Sequence, residues 1–136
     1  ISKKSYPNLD IQSLTIQEAK EIYKRDYWDV LNLDNILFVN DVADQLMANK
    51  IFSSAVLMWI PNAVTCLQRA VRAATGITLD EDGLLGPKTT KAIQRCVPKE
   101  LLSAYKSELA SYYRLVVERD PKNEKYKNGW LNRAYS

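Results

Sequence analysis

The stretch Asp82-Gly83-Leu84-Leu85-Gly86-Pro87-Lys88-Thr89 decides how this chain is read. Its two glycines permit positive φ in a tight turn, and Pro87 has the fixed φ suited to a first helical residue. The run after it, Thr90 to Val97, spaces Ala92, Ile93 and Val97 for one apolar face. The segment reads as a turn feeding a short helix, with Asp82, Gly83, Gly86, Pro87 and Thr89 as structural positions. Gly-x-x-Gly-Pro is also ordinary loop punctuation. A calcium hand does not fit, because twelve positions from Asp80 end at Lys91, where that loop needs a bidentate carboxylate.

Helical patterns flank this loop on both sides. Upstream, Ile1 to Leu14 reads as irregular, with a turn at Pro7-Asn8. Thr15-Ile16-Gln17-Glu18 then forms a capping box for a helix carrying Ile16, Ala19, Ile22, Tyr23 and Tyr27, ending near Trp28 or Val30. A connector from Asn32 to Asn40 leads to a second helix capped by Asn40, with Val42, Ala43, Leu46, Met47, Phe52 and Ala55 on or near its core side. Its end, Val56 to Ile60, is apolar all round, which points to deep burial or a partner surface. Pro61 opens a third helix carrying Val64, Leu67, Ala70, Val71 and Ala74, with Gly76 as C-terminal cap. Ile77 to Leu79 suits a short strand. Pro98 opens the longest helix, with Leu101, Leu102, Tyr105, Leu109, Tyr112, Tyr113 and Val116 in register. Asp120-Pro121 stops it, and Tyr126 to Tyr135 makes a last short helix. The fold class is mainly α, with at most a short strand pair near the glycine loop.

Composition narrows the chemistry. The 136 residues suit one domain or two small subdomains, and 46% apolar with 26% charged residues is an ordinary globular balance. No apolar run approaches the ~20 residues that span a bilayer, so no membrane partner is expected. A net charge of +3 is too small to argue for nucleic acid and fits loosely with an anionic wall polymer. The chain has no histidine. That removes Ser-His-Asp and Cys-His catalysis and the usual His-containing zinc sites, and neither a metal nor a cofactor is expected. Cys66 and Cys96 sit among apolar helical neighbours and read as buried thiols rather than a disulfide. The chain opens at Ile1 without the apolar h-region of a secretory leader, which suggests a processed chain or a fragment.

Landmarks recur in order along the sequence. Leu14-Thr15-Ile16-Gln17-Glu18-Ala19-Lys20 through Tyr23, then Tyr27-Trp28-Asp29, are followed by Ile51-Phe52, Ala55-Val56, Asn62-Ala63-Val64 and Leu67-Gln68-Arg69-Ala70-Val71. The glycine loop, Tyr112-Tyr113 and Gly129-Trp130-Leu131-Asn132-Arg133 complete the series. Together they resemble the lysozyme-like N-acetylmuramidases of phages and prophages, of the glycoside hydrolase family 108 type, sometimes called secretion activators. The resemblance runs from about Tyr6 to Arg133. It implies a lysozyme-like helical bundle, with residues 1–60 a remnant of the catalytic lobe and 61–136 a peptidoglycan-binding region. It also implies action at the bacterial cell wall.

The departures from that family bear on activity. Its catalytic Glu lies in a Glu-Gly-Gly-Tyr segment that has no counterpart here, since no Gly precedes Gly76. Its pattern after Phe52 runs Asp, Thr, Ala, Val, Asn, Met, Gly, where this chain has Ser53 to Trp59. Leu109 stands where the family places an Arg. Leu57, Trp59 and Leu109 cannot accept a proton or polarise a glycosidic bond, so no catalytic residue is assigned and muramidase activity is not expected. Asp26 with Asp29, and Asp41 with Asp44, are the alternative carboxylate pairs, and a solvated helix face is the simpler reading of both. Tyr27, Trp28, Tyr112, Tyr113 and Trp130 are candidates for sugar stacking, with core packing the competing role. Two readings follow: a segment of a cell-wall muramidase, or a non-catalytic derivative, natural or engineered, that keeps the scaffold and wall binding. Peptidoglycan is the expected partner, and the apolar block around Trp59 suggests a homodimer.

Overall fold

The computed structural model describes residues 6–36 and 41–136, with side chains at all of these but 41–43. In chain order it holds α1 (Ile16–Tyr23), a widened turn (Lys24–Trp28), a tight turn (Leu33–Ile36), α2 (Asp41–Met58), α3 (Ile60–Thr75) and α4 (Pro87–Arg95). Then follow α5 (Pro98–Arg119), a second tight turn (Pro121–Tyr126) and α6 (Lys127–Tyr135). Among the described residues there is no strand, and Ile77 to Leu79 runs as irregular chain. Ile77 and Leu79 nevertheless pack against the core, so their alternation reflects a loop lying on a helical layer rather than a sheet.

Local chemistry sets the helix ends. The Thr15 hydroxyl accepts the Glu18 amide at 3.1 Å, the expected N-cap, while the Glu18 carboxylate takes the Thr15 hydroxyl proton at 3.0 Å instead of reaching back to an amide. α1 then widens, with the Asp29 amide bonding to the Lys24 carbonyl at 2.8 Å. Ile16, expected on the apolar side, is 78% exposed, since α1 packs mainly against the widened turn that follows it; Ile22 is the buried residue of α1. Gly76 caps α3 in the left-handed region at φ 78, and Pro87 opens α4. The expected Asn40 cap lies outside the described residues, as do the side chains of Val42 and Ala43.

α3 is the centre of the bundle. It packs against α5 on one side and α2 on another, and α6 closes over α5. Its buried face runs Ala63, Val64, Cys66, Leu67, Gln68, Ala70 and Val71, and α5 answers with Leu101, Tyr105, Leu109, Ala110, Tyr113 and Val117. The Tyr105 hydroxyl donates to the Ala63 carbonyl at 3.0 Å, satisfying the one polar atom of a ring that is otherwise fully enclosed. One continuous core joins Met47, Ile51 and Ala55 of α2 to α3 and α5.

Leu109 is part of that core, buried against α3. Its place on the inner stripe of α5 makes it a packing residue. The block Val56 to Ile60 is not buried all round either. Met58 is buried, but Leu57 is half exposed and Trp59 is 77% exposed, because α2 ends and the chain turns at Trp59 with φ 78.

Candidate functional site

The glycine loop folds into a clasp around one side chain. Gln68, only 2% exposed on α3, shares its amide protons among Asp82 Oδ1 (2.9 Å), the Leu84 carbonyl (3.2 Å) and Thr89 Oγ1 (3.2 Å). Its Oε1 accepts the Gly83 amide at 3.2 Å. Asp82 Oδ1 also takes the Leu84 amide at 2.9 Å, the local turn bond that aspartate favours. These bonds hold the Asp82 carboxyl below its ordinary range, the Gln68 amide contributing most. Gly83 sits at φ 72, and a Cβ there would lie 3.0 Å from the Pro61 carbonyl oxygen. Gly86 differs from the expectation: its φ is −95 and a Cβ there would meet nothing within 4 Å, so it is an extended N-cap that tolerates a side chain. The clasp is internally satisfied. It offers the backbone of the loop to Gln68 and not to a ligand.

Aromatic residues gather in two separate groups. Trp28 meets Phe52 edge to face at 5.7 Å, and Tyr23 lies 6.0 Å from Tyr27. Trp28, Phe52 and Tyr23 line a pocket of about 320 Å³ together with Lys20 and Lys24. The Trp28 indole N–H donates to Asp34 at 3.0 Å, which fixes the ring plane. Lys24 is tied to Asp29 at 2.9 Å, while Lys20 forms no ion pair among the described residues. At the far end of the chain, Tyr112, Tyr113, Trp130 and Tyr126 form a ladder with centroid spacings of 5.9, 5.4 and 5.5 Å. Tyr113 is buried, which raises its pKa, and the ladder fastens α6 to α5. Among the described residues no ring contact links the two groups. Phe52, Tyr23 and Lys20 join the site although the sequence, where they are family landmarks, marks none of them as a binding residue. Phe52 reads there as one more apolar residue on α2, and only the fold sets it against Trp28.

The carboxylates are placed for pairing. Asp26 takes bonds from Arg25 at 2.7 Å and from the Tyr6 hydroxyl, and these pull its pKa down, Arg25 foremost. A general acid needs the opposite shift. Asp44 is buried rather than on a solvated face. Cys66 and Cys96 are free, buried thiols, and burial pushes Cys66 up to about 11.

Against known families, residues 62–135 match the model described as Predicted Peptidoglycan domain. The chain belongs to that peptidoglycan-domain family. Residues 1–56 match the model for glycosyl hydrolase 108. This order, hydrolase segment then peptidoglycan domain, is that of the lysozyme-like muramidases the sequence resembles. No curated protein matches the chain. The clasp (Gln68, Asp82 to Thr89) lies wholly inside the peptidoglycan-domain match, and the aromatic pocket inside the hydrolase match. Among the described residues, no helix is long and apolar enough to cross a membrane.

Proposed function

We propose that this muramidase-related chain engages peptidoglycan without cleaving it, residues 61–136 forming the peptidoglycan-binding region and residues 1–60, a remnant of the catalytic lobe, adding a wall contact of their own through an aromatic pocket. The observation that carries the reading is the pocket of Tyr23, Trp28 and Phe52 flanked by Lys20 and Lys24. Aromatic faces suit the apolar side of a sugar ring, and the ammonium groups suit the carboxylates that hang from the glycan strand. Tyr27 supports the pocket wall through Tyr23, whereas Tyr112, Tyr113 and Trp130 belong to the packing of α5 against α6. Catalysis is disfavoured at Asp26, whose bonds from Arg25 and Tyr6 favour the carboxylate over the protonated form that a general acid needs, and Asp29 is tied to Lys24.

Co-sedimentation with purified sacculi tests this. The chain is expected to pellet with walls, Trp28→Ala to lose most of that retention, and wall turbidity to stay at the buffer rate. Lys20→Glu, at an exposed position, keeps the test informative if Trp28→Ala does not fold. Retention that is equal in all three proteins, or clearing of the walls, overturns the reading. Self-association through Leu57 and Trp59 is the second proposal, favoured by the exposure of both at the α2–α3 corner. Sedimentation over a concentration series should show a dimer that Trp59→Asp abolishes, and a monomer throughout excludes it.

A further inference from the structure

Sharing no residue with the aromatic pocket, a groove of about 440 Å³ is bordered by α3 and α5 and lined by Arg69, Arg72, Ala73, Glu81 and Glu108. It lies between residues of the peptidoglycan-domain match and has no part in the clasp. Arg69 is held against Glu81 at 3.1 Å, a pairing that fixes one wall and leaves its charge nearly neutral. Arg72 stands one helical turn further along α3, and Glu108 projects from α5. Among the described residues neither Arg72 nor Glu108 has an ion pair. The groove therefore presents one open guanidinium and one open carboxylate in a single concavity.

We infer that this groove seats the stem peptide of peptidoglycan, an inference that rests on the wall-binding reading above. Charge is the argument. A neutral sugar can hydrogen-bond to an open guanidinium and an open carboxylate but has no charges to match them, and a polyanion meets the carboxylates of Glu81 and Glu108 as well as the two arginines. A short peptide that carries carboxylates together with the amine of its basic residue matches both groups. Arg72 offers a planar fork for a carboxylate, and Glu108 accepts from an ammonium. A volume of about 440 Å³ is within the range of sites that take small ligands, room for a few residues of such a peptide.

The test uses the full chain and a soluble stem pentapeptide with lysine or diaminopimelate at its third position, together with intact sacculi and sacculi stripped of stem peptides by an amidase. The chain should bind the free peptide, and Arg72→Gln and Glu108→Gln should each weaken that binding roughly fivefold. Raising salt from about 0.05 M to about 0.5 M should weaken it too, as exposed charges are screened. Stripped sacculi should retain less of the chain. Thermal melts of both variants should overlay the parent, since neither side chain is paired. If the chain pellets equally with intact and stripped sacculi and ignores both substitutions, the stem-peptide inference fails while wall binding stands. If it binds neither sacculi nor peptide, the wall-binding reading fails and this inference falls with it.

Discussion

Gly83 and Gly86 look alike in sequence, yet the backbone gives them different roles. At Gly83, φ 72 and a Pro61 carbonyl oxygen 3.0 Å from any Cβ combine strain with a clash against rigid backbone. Gly83→Ala is expected to destabilise by about 1 kcal/mol or more, and Gly86→Ala to stay within about 0.5 kcal/mol, both measured by urea melts. Equal effects at the two sites would contradict this difference. Trp59 presents the reverse case, a bulky residue at φ 78 with its indole in solvent. With ψ at 145, Trp59 lies outside the left-handed helical well, in backbone space nearly confined to glycine that costs other residues about 1 to 3 kcal/mol, so Trp59→Gly should raise stability by about 1 kcal/mol or more. That the resembled family carries glycine at this point agrees with the backbone argument. A melt unchanged or lowered in Trp59→Gly would mean that the indole packs in a way its exposure hides.

At the scale of elements, the loop between α3 and α4 depends on one amide. Gln68 neutralises three acceptors and one donor that the turn leaves without helical partners. Leucine fills the same volume but leaves the Gly83 amide and the Leu84 carbonyl unsatisfied beside a buried helix. Gln68→Leu is expected to cost about 2 to 3 kcal/mol and to raise hydrogen exchange selectively at Gly83 and the start of α4. A uniform rise across the bundle would instead mean that Gln68 matters only through α3. Pro87 is the contrasting position: it begins α4 where its missing N–H is not needed, so Pro87→Ala should change little. The clasp is half legible in sequence. Asp82, the glycines and Thr89 carry turn and cap chemistry that is plain from residue type and spacing. Gln68 is a polar residue on an apolar stripe, and nothing in its own neighbourhood says which loop will supply its partners.

Across the whole molecule, pH reports how many ionisable groups the fold has enclosed. Burial pushes Cys66 from 9.0 up to about 11, and burial with the Asp26 bond pushes Tyr6 to about 12. The folded chain holds these protons after the unfolded chain would release them. Their contribution is therefore complete below about pH 9 and is lost as pH rises toward 11 and 12. Asp26 and Asp82 are shifted down, so their contribution is present above the ordinary carboxylate range and is lost as pH falls through their lowered values. Urea midpoints should be flat near neutrality and fall on both sides, and Cys66→Ala should blunt the early part of the alkaline fall. An alkaline limb identical in Cys66→Ala would assign it elsewhere. The sequence alone determined the helices, the caps at Thr15 and Gly76, the start at Pro87 and the mainly α class, because periodicity, capping and turn chemistry act over a few residues, and its ordered landmarks carried the family resemblance. Only the tertiary structure decided that Leu109 is core, that Phe52 joins Trp28, that Gln68 holds the glycine loop and that Arg72 faces the same groove as Glu108. Those pairings join residues far apart in the chain, and they exist only once α3 has packed against its neighbours.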